Sequence, residues 1–189
     1  MALRNIPHAF LTLVSLWMFA DTTGHGSPYE TTVVRPVGIA IAALLRDGAE
    51  RSPTFRSLLE QLDGSEWIVF VQAGSCRLSR ITGCLLHRMG VFEGRRYLRI
   101  VLSDTSATHD GAIATIGHEL HHAAEVVSEP QITQASDIQD LYRRIGYVSM
   151  RTTGGAVYET KGAVRAGAQI LAELRFARRM AERKRTASR

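Results

Sequence analysis

The 189-residue chain contains no apolar run long enough to cross a membrane, which takes about twenty residues. Its longest apolar run, Ala9–Ala20, has twelve residues. Internal repeats and signs of a second domain are also missing, and the length suits one domain with an ordinary core. We therefore expect a soluble mature chain without a membrane span, built as a single domain over residues 25–175.

Cysteine is scarce, because Cys76 and Cys84 are the only two in the chain. They flank a short basic loop, and in an oxidising compartment a bridge that closes such a loop is expected to be structural. Two free thiols, or a local metal pair of Cys84 and His87, are the alternatives.

The first 24 residues resemble a secretory leader followed by a linker. Arg4 supplies the positive start, Ala9–Ala20 is the apolar segment and a polar stretch follows it. Met18 is larger than the residue usually found three positions before the cleaved bond, here after Ala20. An uncleaved anchor or a buried N-terminal helix is the alternative to a signal peptide. The leader predicts an exported protein, either periplasmic or secreted.

Acidic residues are missing where the basic ones concentrate. Residues 175–189 hold seven basic residues and one acid, so they account for the whole net charge of +5. We interpret residues 176–189 as a basic tail, a solvated helix end that frays. Binding of nucleic acid or of an anionic envelope polymer is the alternative. The last dozen residues lack the aromatic side chains that stack on bases, so we expect no specific nucleic-acid partner.

A metal-binding pattern lies within residues 111–126. His118, Glu119 and His122 form H-E-x-x-H, the two-histidine zinc motif of metallopeptidases. On a helix, positions four apart lie about 40° apart, which points both imidazoles at one metal. Glu119 can then reach a metal-bound water without being a ligand. The apolar positions fall on the opposite face of the same helix, at Ile113, Ile116, Leu120 and Ala124.

Two histidines leave a catalytic zinc one protein ligand short. Glu125 and Ser128 occupy the positions where the metzincin pattern requires glycine and histidine, which excludes that pattern. Glu125 lies some 7–8 Å along the helix axis from the metal position, so it suits a partner of a ligand better than a ligand. His121 points about 60° off the ligand face and suits a solvated or outer position.

Glu159 is the favoured third ligand, at the start of a predicted final helix. Small residues would let this helix approach the motif helix closely, namely Gly162, Ala163, Ala166 and Gly167 on one helix and Gly117, Ala123 and Ala124 on the other. The alternative is that Glu159 is a first-turn acid favoured by the helix dipole. The reserve ligands are Asp137, Asp140 and Glu129.

The remaining pattern predicts an α+β fold, with a three- to four-stranded antiparallel sheet packed on the motif helix and a long C-terminal helix. The predicted strands are Glu66–Gln72, Ile81–Met89 and Arg95–Ser103, and their short connections favour an antiparallel meander. The predicted helices are Gly38–Arg46, one that starts at Pro53, Asp137–Ile145 and Ala156–Ala181.

Together, the strands, the H-E-x-x-H helix and a glutamate on a later helix resemble the gluzincin branch of the zincin metallopeptidases. Segments over residues 52–175, such as SPTFRSLLEQL and YETKGAVRAGAQI, are also similar to exported bacterial proteins. The gluzincin resemblance implies Zn²⁺ held by His118, His122 and Glu159, with Glu119 as the general base.

The resemblance also implies a peptide or protein substrate, and we expect a monomer. Help to the developing oxyanion is expected from Tyr147, Tyr158 or His121, which the sequence does not rank. Arg95–Ser103 resembles the edge strand along which an extended peptide pairs. The alternative function is a non-catalytic, zinc-binding envelope protein with a zincin-like fold.

Overall fold

A computed structural model describes residues 33–76, 81–103, 108–153 and 155–189, and it leaves out the side chains of residues 87 and 88. The predicted signal peptide lies outside the described residues. In the part of the chain that is described, no helix has both the length and the apolar character of a membrane span.

The fold is α+β, with a mixed sheet, a separate hairpin and helices that cover the sheet. In chain order, the elements of the described residues are β1 Val34–Val37, α1 Ile39–Arg51, α2 Pro53–Asp63, β2 Trp67–Gly74, β3 Gly83–Phe92, β4 Arg95–Ser103, α3 His109–Val127, α4 Ala135–Ile145, β5 Tyr147–Thr152, β6 Gly155–Glu159 and α5 Lys161–Ala187. The predicted long C-terminal helix is confirmed as α5, with a later start.

The predicted antiparallel meander is wrong. The strand order is β1-β2-β4-β3, in which β1 and β2 are parallel, β2 and β4 are parallel, and only β3 and β4 are antiparallel. Two strand spacings measure about 10 Å. The eight residues between β2 and β3 can span that distance, so β3 lies outside β4 instead of beside β2.

The apolar run of β2 explains the parallel pairing. Trp67, Ile68, Val69 and Val71 are all buried. A near-continuous buried run is typical of a strand that lies inside a parallel sheet, whereas a strand with one wet face alternates. The β1–α1–α2–β2 segment supplies the helical crossover that parallel neighbours need.

The edge of the sheet next to α3 is β3. β4 pairs with β2 on one side and with β3 on the other, so the expectation that Arg95–Ser103 is an edge strand is wrong. The predicted disulfide is confirmed between Cys76 and Cys84, with Cα atoms 6.1 Å apart. It ties the start of β3 to the chain that follows β2.

The boundaries of α1, α4 and α5 differ from the prediction, and α4 begins at Ala135 instead of Asp137. The helix α1 continues through Gly48 to Arg51. A Cβ at Gly48 would come within 2.9 Å of Ile113 and 3.0 Å of Phe55. Glycine therefore permits close packing of α1 there and does not end the helix.

The final helix begins at Lys161 and not at Ala156, since residues 155–159 pair with β5 as a strand. Thr160 is the N-cap of α5, and its Oγ1 accepts a hydrogen bond from the Ala163 N–H at 3.1 Å.

The helix α5 is fastened to the body at its middle. The Glu173 carboxylate accepts hydrogen bonds from the Thr54 N–H at 3.1 Å and from Thr54 Oγ1 at 2.7 Å, at the N-terminus of α2. Arg51 donates to the Leu174 carbonyl at 3.0 Å. Leu174 is the last buried residue of α5, so the helix leaves the core after this point.

Candidate metal centre

The motif helix forms as its sequence predicts. Thr108 is the N-cap of α3, and its Oγ1 accepts from the Gly111 N–H at 3.1 Å, while Asp110 stands in the first turn. The predicted apolar stripe is confirmed as buried, at Ile113, Ile116, Leu120 and Ala124. The hydrophobic effect thus fixes the rotation of α3 and turns His118 away from the core.

Small residues bring α5 close to α3, as predicted. Gly117 lies against Ile170, and Gly162 lies against the His121 ring. A Cβ at Gly167 would come within 3.2 Å of the His118 Cβ. Larger side chains at these positions would separate the helices or displace the imidazoles.

Two histidines of α3 meet one carboxylate of β6. His118 Nε2 lies 3.1 Å from Glu159 Oε2, and His122 Nε2 lies 3.0 Å from Glu159 Oε1. One ligand atom from each residue lies within 4.8 Å of the others, so His118, His122 and Glu159 could hold a metal ion. Glu159 is the last residue of β6, which corrects the expectation that it starts the final helix.

These separations are hydrogen-bond distances, and they are also close to the distances between ligands of one metal ion. Zinc binds nitrogen and carboxylate oxygen at about 2.0–2.2 Å, and two ligands of a tetrahedral site are then roughly 3.3 Å apart. The two nitrogen–oxygen distances of 3.1 and 3.0 Å come close to that value. A modest outward shift of the side chains would therefore admit an ion.

A closed ring of hydrogen bonds holds His122. His122 Nδ1 lies 2.9 Å from Glu125 Oε2, while Glu125 Oε1 accepts from Thr160 Oγ1 at 2.7 Å. The Thr160 N–H donates to Glu159 Oε1 at 2.8 Å. Glu159 Oε1 also lies 3.0 Å from His122 Nε2, which closes the ring. Carboxylate partners of this kind orient ligand imidazoles and fix their tautomer. The ring also joins α3 to the junction between β6 and α5.

Tyr142 supports the same imidazole from the other side. Its hydroxyl donates to the His122 carbonyl at 2.9 Å, and its ring meets the His122 ring edge-on at 5.2 Å between centroids. Burial, with neighbouring carboxylates, raises the pKa of the Tyr142 hydroxyl. This hydroxyl therefore stays neutral and serves as a donor.

Opposed effects set the pKa values of the cluster. Burial would lower the pKa of His122, but its hydrogen bonds to Glu125 and Glu159 outweigh burial and raise that pKa to about 9. Burial would raise the pKa of Glu159, but hydrogen bonds from His118 and His122 hold it well below its usual range. A pKa of about 9 favours the doubly protonated His122 imidazolium in the metal-free cluster, and a cation bound at Nε2 would displace one of its protons.

Glu119 is buried between α3 and β3, with 6% of its surface exposed. Burial is the main cause of its raised pKa, while the charges of His122 and His118 and a hydrogen bond from the Leu85 backbone act in the opposite direction. A Cβ at Gly83 would come within 2.5 Å of Thr115 Cγ2 and 3.3 Å of Glu119 Oε1, so glycine there lets β3 approach α3 closely.

The three candidates for an oxyanion donor lie in different surroundings. Tyr147 is directly opposite Glu159 in the β5–β6 pair, so their side chains share one face of the hairpin. Tyr158 lies on the other face, packs on the core and hydrogen-bonds Arg143. His121 lies 3.5 Å from Glu125 Oε1 and lines an open cleft of about 850 Å³ formed mainly by α2 and α5.

The reserve ligands lie in other contacts. Asp137 caps α4 by accepting from the Thr133 and Gln134 N–H groups. Asp140 pairs with Arg143 at 2.6 Å, and Glu129 pairs with Arg144 at 3.1 Å. Among the described residues, none of the three joins the donor group of His118.

Comparison with protein-family models, with curated proteins and with solved structures yields no match to this chain. The metal centre therefore has to be interpreted from its own geometry.

Proposed function

We propose that this chain is an exported, zinc-dependent peptidase with His118, His122 and Glu159 as metal ligands and Glu119 as general base. The observation that carries the proposal is the convergence of two Nε2 atoms on the two oxygens of Glu159, at 3.1 and 3.0 Å. Two imidazoles and one carboxylate form a ligand set used by catalytic zinc, which keeps a fourth position open.

A bound zinc ion would supply Lewis acidity, which lowers the pKa of a water molecule and polarises a peptide carbonyl. Glu119 would accept the proton from that water and pass it to the leaving amine. Its burial raises the pKa of this carboxyl, which favours uptake of the proton from that water. The Leu85 N–H would hold the carboxylate in one orientation while it exchanges the proton.

The edge strand β3 is the proposed track for the substrate. Among the described strands it pairs only with β4, so its outer edge offers backbone groups to an extended peptide. Gly83 and Leu85 of β3 contact Glu119, which would bring a peptide on this edge close to the base. The disulfide at Cys84 fastens the same end of β3 and suits an oxidising compartment.

A non-catalytic zinc-binding envelope protein is the second candidate. One observation favours it, because the cleft of about 850 Å³ includes His121 but none of the three donor residues. Metal at the centre would then fasten the β5–β6 hairpin to α3 without turning over a substrate.

Hydrolysis of a mixed pool of fluorescence-quenched peptides separates these candidates. We expect the zinc-loaded protein to cleave some of them, to stop when a chelator removes the metal, and to recover when zinc is restored. Cleavage that persists in protein shown to be metal-free would contradict the peptidase mechanism. Stoichiometric zinc without any cleavage would favour the second candidate.

Tyr147 is the proposed oxyanion donor, because it shares the Glu159 face of the hairpin. We expect Tyr147→Phe to lower kcat about 100-fold without changing the zinc content, which is typical of losing one such donor. Tyr158→Phe is the matched control, since its hydroxyl contacts Arg143 on the opposite face, and it should leave kcat near wild type. Equal kcat values for the two variants would remove Tyr147 from this role.

A further inference from the structure

The last part of α5 extends beyond the core. After Leu174 every residue of the helix is exposed except Ala177, which is half-buried. The thirteen residues 175–187 rise by about 20 Å at 1.5 Å per residue. We call residues 175–189 the projecting segment.

Basic side chains of the projecting segment are largely without acidic partners. It holds seven basic residues and one acid, Glu182. Arg178 reaches Asp110 of α3 at 3.3 Å, and no other basic residue of the segment forms an ion pair with a described residue. The segment therefore presents a concentrated positive charge to an external partner.

Two large apolar side chains occupy one face of the same segment. Phe176 is 57% exposed and Met180 is 39% exposed, and at 100° per residue they lie about 40° apart around the helix. Arg183 and Lys184 flank this face within about 60° of its centre. Arg175 and Arg185 lie on the opposite side, about 120° and 160° away.

This arrangement matches the surface of an anionic bilayer. Apolar side chains of an amphipathic helix enter the boundary between headgroups and acyl chains, while flanking basic side chains reach the lipid phosphates. A nucleic acid would use the charge on every side of the helix but would gain little from Met180. The exposed Phe176–Met180 face therefore favours a lipid partner.

We propose that the projecting segment binds the surface of a membrane that contains anionic phospholipid, through Phe176, Met180, Arg183 and Lys184. This binding is peripheral, because the segment lies along the membrane surface and does not cross the bilayer. It would hold the body of the protein, with its metal centre, beside the membrane.

The test is sedimentation of the full chain with vesicles of phosphatidylcholine, with and without phosphatidylglycerol. We expect phosphatidylglycerol to increase binding, and we expect that increase to fall as salt rises. Because every variant keeps the same N-terminal segment, differences between variants report on the projecting segment alone. Circular dichroism checks that each variant keeps the wild-type helix content.

Two pairs of matched variants define the face. Arg183→Gln with Lys184→Gln should weaken binding roughly 25-fold, about fivefold for each charge near the surface. Arg175→Gln with Arg185→Gln removes the same charge from the opposite side and should cost less than about fivefold, because screening acts across the helix diameter. Phe176→Ser with Met180→Ser should cost about tenfold. Phe92→Ser with Met150→Ser, at exposed sites on β3 and β5, should leave binding unchanged.

Three outcomes would overturn the proposal. The first is no increase in binding when the vesicles contain phosphatidylglycerol. The second is equal loss in the two charge pairs, and the third is full binding by the Phe176→Ser, Met180→Ser chain. The second or the third outcome could be accompanied by binding of double-stranded DNA that the charge-removing variants weaken. The projecting segment would then be a general site for polyanions.

Discussion

Replacing Glu119 with glutamine is expected to leave the zinc content unchanged and to lower kcat for peptide hydrolysis by about 100- to 10,000-fold. Glutamine keeps the size of the side chain but cannot accept the proton of an activated water. Glu119 is not among the three converging donor residues, so the metal should remain. The amide can also keep an oxygen toward the Leu85 N–H, so β3 should stay where it is.

Elemental mass spectrometry and a peptide assay on the same Glu119→Gln sample make this measurement. Glu66→Gln is the matched control, because the Glu66 side chain is 86% exposed and lies outside the centre. The control should keep wild-type kcat and zinc content. Undiminished turnover by Glu119→Gln would exclude the general-base role, and loss of zinc would make Glu119 a ligand.

Replacing Glu159 with alanine is expected to weaken zinc binding by more than the roughly 10- to 100-fold that loss of an outer partner costs. The change removes the carboxylate that contacts both His118 Nε2 and His122 Nε2. It leaves two imidazoles, which are too few for a catalytic zinc site. Peptide hydrolysis should disappear with the metal.

Competition with a chromophoric zinc chelator measures the affinity of each Glu159 variant. Glu129→Ala is the control, because Glu129 was a reserve ligand in the sequence but pairs with Arg144 in the structure. Glu159→Gln keeps the shape of the hairpin and separates lost ligation from lost folding, so it too should bind zinc weakly. Wild-type affinity in Glu159→Ala would move the third ligand to another residue.

Local patterns made the motif helix and the disulfide predictable. H-E-x-x-H and the apolar stripe both act within one helix, so the face of His118 follows from periodicity alone. Cys76 and Cys84 are the only cysteines, which leaves a single pairing to consider. The small residues of α5 likewise indicated a close approach to α3.

Long-range pairing was harder to predict. Short connections favour neighbouring antiparallel strands, but the segment between β2 and β3 carries β3 past the position that β4 then fills. The apolar run Trp67–Val69 indicates an interior strand of a parallel sheet. The short connections between the strands indicate the opposite, an antiparallel arrangement, and the structure follows the apolar run.

The contacts of Glu159 are hard to predict because they depend on where the final helix begins. The apolar and small residues after Ala156 predict a helix from that residue, but Val157 and Tyr158 favour a strand and lie in β6. A helix that starts at Ala156 leaves no N-cap role for Thr160. Threonine is a preferred N-cap residue, so Thr160 is the sequence signal for a helix that begins at Lys161. Its second hydrogen bond, to Glu125, is a tertiary contact that no local pattern contains.

The most direct test of the metal centre is the metal content of the chain, purified without chelator or histidine tag and measured by elemental mass spectrometry. The geometry of His118, His122 and Glu159 predicts close to one zinc per wild-type chain, and much less in the Glu159→Ala protein. Wild-type protein without stoichiometric metal, under conditions that do not deplete zinc, would contradict the metal centre and the peptidase function that depends on it.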